Sequence, residues 1–269
     1  MNDLRQLLRR TADLAADFYE SLETRPVVPR VAIEDLRAAL GGSLPAEPTA
    51  PEIVVSHLAA DADQGLVAEA GGRYFGFVTG GSVPAALAAD WLTSAWDQNA
   101  SLYVAGPAAA VVEEVAGAWL KDAWLKELLG LSADTSHAFV TGAQMANTTA
   151  LAAARHHLLA RAGWDVERDE LQGAPRLRVI VGAKRHGTID RSLRFLGLGA
   201  PTDIVPADDQ GRMQADALRV TDAPTLICAQ MGEVNTGSCD PIEAIADLCR
   251  SAKRVVAHRR RLRPLGRGL

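Results

Sequence analysis

Leu177-Arg-Val-Ile-Val-Gly-Ala-Lys-Arg-His186-Gly-Thr-Ile-Asp-Arg-Ser-Leu-Arg-Phe-Leu196 reads as a strand, a glycine-led turn and a helix. The apolar run 177–181 is short enough for a buried strand, and the helical pattern begins near Thr188. Similar units flank it. Ala138-Phe-Val-Thr141 reads as a strand entering Gly142, followed by an alanine-rich helix over 146–162. Downstream come a short strand over 203–206, a helical turn over 215–220, a strand over 225–229 and a helix over 240–254. Strands alternating with helices predict an α/β fold, a mostly parallel sheet with helices on both faces. Ligands of such sheets sit beyond the carboxyl ends of the strands.

The chain before residue 138 reads as helical. Residues 3–23 place Leu4, Leu7, Leu8, Leu14, Ala15 and Phe18 on one broad face. Further helices are predicted over 33–40, 51–69, 83–95 and 107–129, the last closing at Gly130. The aromatic, glycine-broken segment 73–81 is expected to be extended. Ala118-Trp-Leu-Lys-Asp122 is nearly repeated by Ala123-Trp-Leu-Lys-Glu127. Five residues turn a helix face by roughly 140°, so one copy presents its Trp differently or the helix bends. The domain reading is an N-terminal helical segment over 1–50, a large domain over 51–254 and a basic tail over 255–269.

Hydrophobic residues make up 48% of the 269 and charged residues 23%, as in ordinary globular proteins. The net charge is −5, but six arginines lie after residue 253, so the body carries −11. An acidic body argues against nucleic-acid binding. Cys228, Cys239 and Cys249 are scattered and lack metal-ligand spacing, which suggests reduced thiols and no metal. No stretch reaches the roughly 18 apolar residues of a membrane span, and no secretory h-region opens the chain. The expectation is a cytoplasmic protein.

Three segments follow strand ends and can meet at one crevice. Val140-Thr-Gly-Ala-Gln-Met-Ala-Asn147 runs through a glycine turn into a helix start, a natural phosphate seat. It also reads as an ordinary strand–helix turn. His186 can stack on an aromatic ligand or exchange a proton, or simply cap a helix. Gln230-Met-Gly-Glu-Val-Asn-Thr-Gly-Ser-Cys-Asp-Pro241 offers polar groups after a strand, with Asp240 expected as a helix cap.

Together with Tyr74-Phe-Gly-Phe-Val-Thr-Gly-Gly81, Trp96-Asp-Gln-Asn99, Gly106-Pro107, Thr141-Gly-Ala-Gln-Met-Ala-Asn-Thr-Thr-Ala-Leu151, His186-Gly-Thr-Ile-Asp190 and Asn235-Thr-Gly-Ser-Cys-Asp-Pro241, these segments make residues 50–253 resemble the group II pyridoxal-phosphate (PLP) decarboxylases. That family includes glutamate, aromatic amino acid, histidine and cysteine-sulfinate decarboxylases. The resemblance implies the large domain of the aspartate aminotransferase type, preceded by a helical segment and followed by a small domain not found in these residues. It implies decarboxylation of an amino acid by a homodimer with pyridoxal 5′-phosphate as cofactor. By the same resemblance Ala143 and Gln144 hold the cofactor phosphate, His186 stacks on its ring, and Asn235 or Thr236 lies beside it. Phe77, Thr79 and Gly80 line the substrate side. A non-catalytic binding protein and a different PLP lyase, such as one acting on a sphingoid phosphate, are the other readings.

The family also needs a lysine that carries PLP as a Schiff base, and an aspartate beside the pyridine nitrogen. The aspartate belongs to a segment like His-Val/Ile-Asp-Gly-Ala-Phe-Gly, soon after the helix matched by Ile242–Arg254. Neither motif is present. The four lysines, Lys121, Lys126, Lys184 and Lys253, match no family position and read as surface lysines. Ala257-His-Arg-Arg-Arg-Leu-Arg263 can be encoded GCA CAT CGA CGG CGC CTT CGG. Read from its second base, with the first C of Pro264, that string translates as His-Ile-Asp-Gly-Ala-Phe-Gly. The expectation is therefore a frameshift near 252–256 and a chain inactive as written.

Overall fold

Pro51, Pro84 and Pro107 each stand at the first position of a helix, where the missing N–H costs nothing and the fixed φ is already helical. The computed structural model describes residues 2–125, 132, 134–221, 223–251 and 255–258. Lys126, Lys253 and most of the basic tail lie outside the described residues. The chain divides into two compact units, Met1–Asp97 and Gln98–Leu269.

The first unit holds α1 (Asn2–Ser21), α2 (Ile33–Leu40), α3 (Pro51–Asp63) and α4 (Pro84–Trp96). The helix expected over 51–69 stops at Asp63, six residues early. α4 closes on Asp97 in the left-handed region, at φ 46°. Arg25 pairs with the Asp63 carboxylate at 2.7 Å, and Arg73 donates to the carbonyls of Leu22 and Arg25. Of the described apolar side chains in this unit only Leu22 and Ala68 are buried. The segment 73–81, expected to be extended, is a succession of turns and bends. Phe77 and Val78 both have positive φ, 53° and 58°. Among the described residues no strand pairs with it, and its backbone turns on itself, with the Thr79 amide and hydroxyl both donating to the Gly76 carbonyl.

In the second unit α5 (Pro107–Leu120) runs directly into a π-helical turn, Lys121–Leu125. The widening spans the junction of the two copies of the Trp-Leu-Lys repeat. Bonds from i to i+5 accommodate a five-residue repeat that a regular α-helix would rotate away. The end of the second copy lies outside the described residues. After it come α6 (Ala143–Arg161), the short α7 (Val166–Asp169), β1 (Arg178–Gly182), α8 (Gly187–Phe195), β2 (Asp203–Val205), a 3₁₀ turn (Ala215–Ala217), β3 (Thr225–Cys228), α9 (Ile242–Ser251) and β4 (Val255–His258).

The four strands form one parallel sheet in the order β2-β1-β3-β4. Register pairs Val181 with Ile204 and Val179 with Leu226. Alternation then sorts the side chains. Val179, Val181, Leu226 and Cys228 pack with Leu151, Leu158 and Leu159 of α6 and Leu193 of α8. Ile180 and Ile227 face the other way, onto Val205, Met213, Leu218 and Ile245 of α9. Helices therefore cover both faces. Each fully buried leucine here stabilises the fold by about 2 kcal/mol. The strand expected over 138–141 is not formed. Its apolar residues pair with no described strand, and Phe139 and Val140 stay substantially exposed. Among the described residues no helix is long and apolar enough to cross a membrane.

Candidate active site

Strand order β2-β1-β3 makes the connections from β1 and β3 leave in opposite senses, and a crevice opens at such a reversal. A cavity of about 440 Å³ lies there. Its walls are the segment after β1 (Lys184 to Ile189), the segment after β3 (Cys228 to Val234), and Ala143 and Asn147 from the first turn of α6.

The α6 end is built to approach an anion. Gly142 has φ 147°, a conformation that favours glycine, and a Cβ there would meet nothing within 4 Å. No side chain caps the helix; its first backbone bond runs from Ala146 N–H to the Gly142 carbonyl at 3.0 Å. The amides of the first turn thus point outward at the positive end of a 19-residue helix. The side chain of Gln144 is committed elsewhere. Its Nε2 donates to Ser192 Oγ at 2.8 Å and to the Thr188 carbonyl at 3.3 Å, and its Oε1 accepts from Arg191. Asn147 Nδ2 donates to Thr188 Oγ1 at 3.0 Å, and Thr148 Oγ1 lies 2.9 Å from buried Ser192 Oγ. These bonds fix the start of α8, and with it His186, to α6.

His186 is both a cap and a cavity wall. Its Nδ1 accepts the Thr188 N–H at 3.2 Å and lies 2.9 Å from Thr188 Oγ1. An accepting Nδ1 puts the proton of the neutral ring on Nε2. Arg185 is tied to Asp190 at 3.0 Å. Lys184, read from sequence as a surface lysine, is exposed as expected and also borders the cavity.

The opposite wall is organised by Glu233. Its Oε2 accepts from the amides of Asn235 at 2.7 Å and Thr236 at 2.9 Å, and its Oε1 accepts from Asn235 Nδ2 at 2.9 Å. The backbone bonds from Thr236 and Asn235 hold the carboxyl below the usual glutamate range. Thr236 Oγ1 donates to the Gln210 carbonyl at 2.8 Å. Glu233 and Val234 line the cavity, whereas Asn235 and Thr236 sit one step behind, within the same turn. Asp240, expected to cap α9, has another task. Its two oxygens accept the amides of Met213 and Gln230, each at 2.7 Å, so it clamps the β3 exit. Cys228 closes the floor, and burial pushes its thiol up to about 12, with a smaller contribution from Asp190.

Phe77, Thr79 and Gly80 belong to the first unit. Phe77 is 91% exposed. That unit has its own hollow of about 1040 Å³ beside α1 and α3, floored by helix side chains such as Leu14, Phe18 and Leu58. Among the described residues no cluster of His, Cys, Asp and Glu could hold a metal. Lys184, Glu233 and Asn147 lie in the three segments expected to meet at the crevice but were not singled out as site residues, and Cys228 lies in the strand before the third segment.

The family model described as the pyridoxal-dependent decarboxylase conserved domain matches residues 36–258. Tryptophan decarboxylase 1 of Oryza sativa subsp. japonica is 29% identical over 268 residues, covering 92% of this chain and 51% of that protein. Aromatic-L-amino-acid decarboxylase of Bacillus atrophaeus is 26% identical, covering 92% and 50%. The crystal structure of mouse CSAD superposes with a TM-score of 0.78 at 24% identity, over 94% of this chain and 54% of that one. The Oryza sativa TDC structure with PLP and tryptamine gives 0.77 at 24% identity, over 96% and 57%. The chain spans about half the length of the relatives it matches. The cofactor of the family is PLP, and the cavity fits it: outward amides and a bare glycine suit a phosphate, and the His186 imidazole at the wall suits an aromatic ring. On this match over most of its length, the chain belongs to the pyridoxal-dependent decarboxylase family.

Proposed function

We propose that this chain is the cofactor-binding part of a cytoplasmic carboxy-lyase that removes the α-carboxylate of an amino acid. The observation that carries the reading is the cavity at the β1–β3 reversal, bounded by an uncapped helix start and by His186. The first-turn amides of α6, at Ala143 and Gln144, hold the phosphate. His186 stacks on the pyridine ring in the orientation its Nδ1 cap imposes, and the turn carrying Asn235 and Thr236 lies beside it. PLP when bound supplies the sink for the electron pair left as carbon dioxide departs. The working unit is a homodimer, supported by apolar side chains such as Leu4, Leu8 and Leu58 that stay at least half exposed on the helices of the first unit.

Turnover needs the family's lysine and aspartate. The 269 residues contain neither motif, so this chain binds without turning over, and a one-base shift near 252–256 accounts for the tail. Two experiments test the reading. DNA sequencing through codon 254 and beyond is expected to show codons that read on, one base shifted, as His-Ile-Asp-Gly-Ala-Phe-Gly. Codons incompatible with that string refute the shift. Fluorescence titration of the purified chain is expected to show PLP binding competed by inorganic phosphate. Binding indifferent to phosphate, or no binding, refutes the cofactor site. Restoring the frame is expected to yield carbon dioxide release from an aromatic or acidic amino acid.

A further inference from the structure

Three consecutive basic residues follow β1, and two are already engaged. Arg185 is paired with Asp190, and His186 caps α8. Lys184 makes no hydrogen bond or ion pair among the described residues, yet it lines the cavity. Its stem passes close to Gly211: a Cβ at that glycine would lie 3.7 Å from Lys184 Cγ and 3.1 Å from Glu233 Cγ, so the two side chains, both bordering the cavity, pass near the same point. Ala143, at the uncapped start of α6, lines the same 440 Å³ space, which is within the range that holds a small ligand.

We propose that Lys184 captures PLP covalently in this chain, in the absence of the family's own lysine; the inference rests on the cofactor site proposed above. The unprotonated ε-amine adds to the aldehyde carbon of PLP, and water leaves as the carbon–nitrogen double bond forms. No oxidant or reductant is needed. A phosphate held at the start of α6 confines the aldehyde to the cavity, and proximity then favours the amine of Lys184, which borders it. Lys121 is not among the residues that line this space and reacts only as an ordinary amine does.

The test is site mapping. The purified 269-residue chain is incubated with PLP and reduced with borohydride, and the pyridoxyl adduct is located by peptide mass spectrometry. Adduct at Lys184 is expected to exceed that at each other lysine by about tenfold or more, the ratio one charge-assisted hydrogen bond to the phosphate supplies. Pyridoxal without phosphate is expected to lose that preference, and K184R to lose the dominant adduct. Even labelling of the four lysines, or a map unchanged by K184R, overturns the proposal. The wild-type map decides the matter if K184R does not fold. Pyridoxine 5′-phosphate, which has no aldehyde, separates the two readings. If it binds and protects nothing at Lys184, only the covalent proposal fails. If it does not bind, the cofactor site itself fails.

Discussion

Asp240→Asn is the change that best probes how the cavity wall is held. The wild-type carboxylate is 7% exposed and accepts two backbone amides, Met213 and Gln230, each at 2.7 Å. Hydrogen bonds to a charged group are each worth about 1.5–3 kcal/mol. An amide has the same shape but only one acceptor oxygen, and its NH₂ must face the other backbone N–H. One bond is lost, one buried donor is stranded, and the survivor is no longer charge-assisted. The combined cost is about 2–4 kcal/mol. Hydrogen exchange reads this directly, because at about 1.4 kcal/mol per decade the Met213 and Gln230 amides should exchange roughly 30- to 700-fold faster. Core amides of β1 should change far less. PLP affinity should fall as well, because Gln230 lies within the segment that lines the cavity. Met213 and Gln230 amides exchanging at wild-type rates in a folded Asp240→Asn protein would refute the reasoning.

Gly117→Ala should destabilise the second unit by about 1–3 kcal/mol, measured by urea denaturation, because the added methyl runs into the His137 imidazole. Cys228, with its thiol pushed up to about 12, should resist alkylation at pH 8 while exposed Cys239 reacts, as peptide mapping would report; both should react in denaturant. Glu233 is held below its ordinary range in the folded state. Its contribution is therefore full above the unfolded value of about 4.3 and lost as pH falls through the lower folded value. NMR shifts of the Asn235 and Thr236 amides should hold steady from neutral pH to that point and move only below it, and Glu233→Gln should abolish the movement.

Local chemistry made much of this molecule legible. Pro51, Pro84 and Pro107 announced helix starts, and the structure has them at the first helical position. The β-branched runs at 178–182 and 225–228 formed central strands because each presents apolar residues to both faces of a covered sheet. The order of the motifs along the chain disclosed the family, which the domain match over 36–258 establishes. Of the residues expected to contact the cofactor, Ala143 and His186 border the space at the β1–β3 reversal, whereas Gln144, Asn235 and Thr236 do not.

Where the outcome depended on a distant partner, the residues alone misled. Phe139 and Val140 have strand composition but no described ladder to join, and residues 73–81 turn for the same want of a neighbour. Asp240 has the sequence context of a helix cap, yet Met213, 27 residues away, claims one of its oxygens. Lys184 is exposed, as its sequence context suggests, but only the fold shows that it borders the cavity. Sequence by itself determined where helices begin, which strands are buried and which cofactor family the chain joined, because propensity, caps and motif order act over a few residues. Only the tertiary structure decided which polar group bonds to which and which side chains border the cavity, because those choices are made by atoms that the chain brings together across tens of residues.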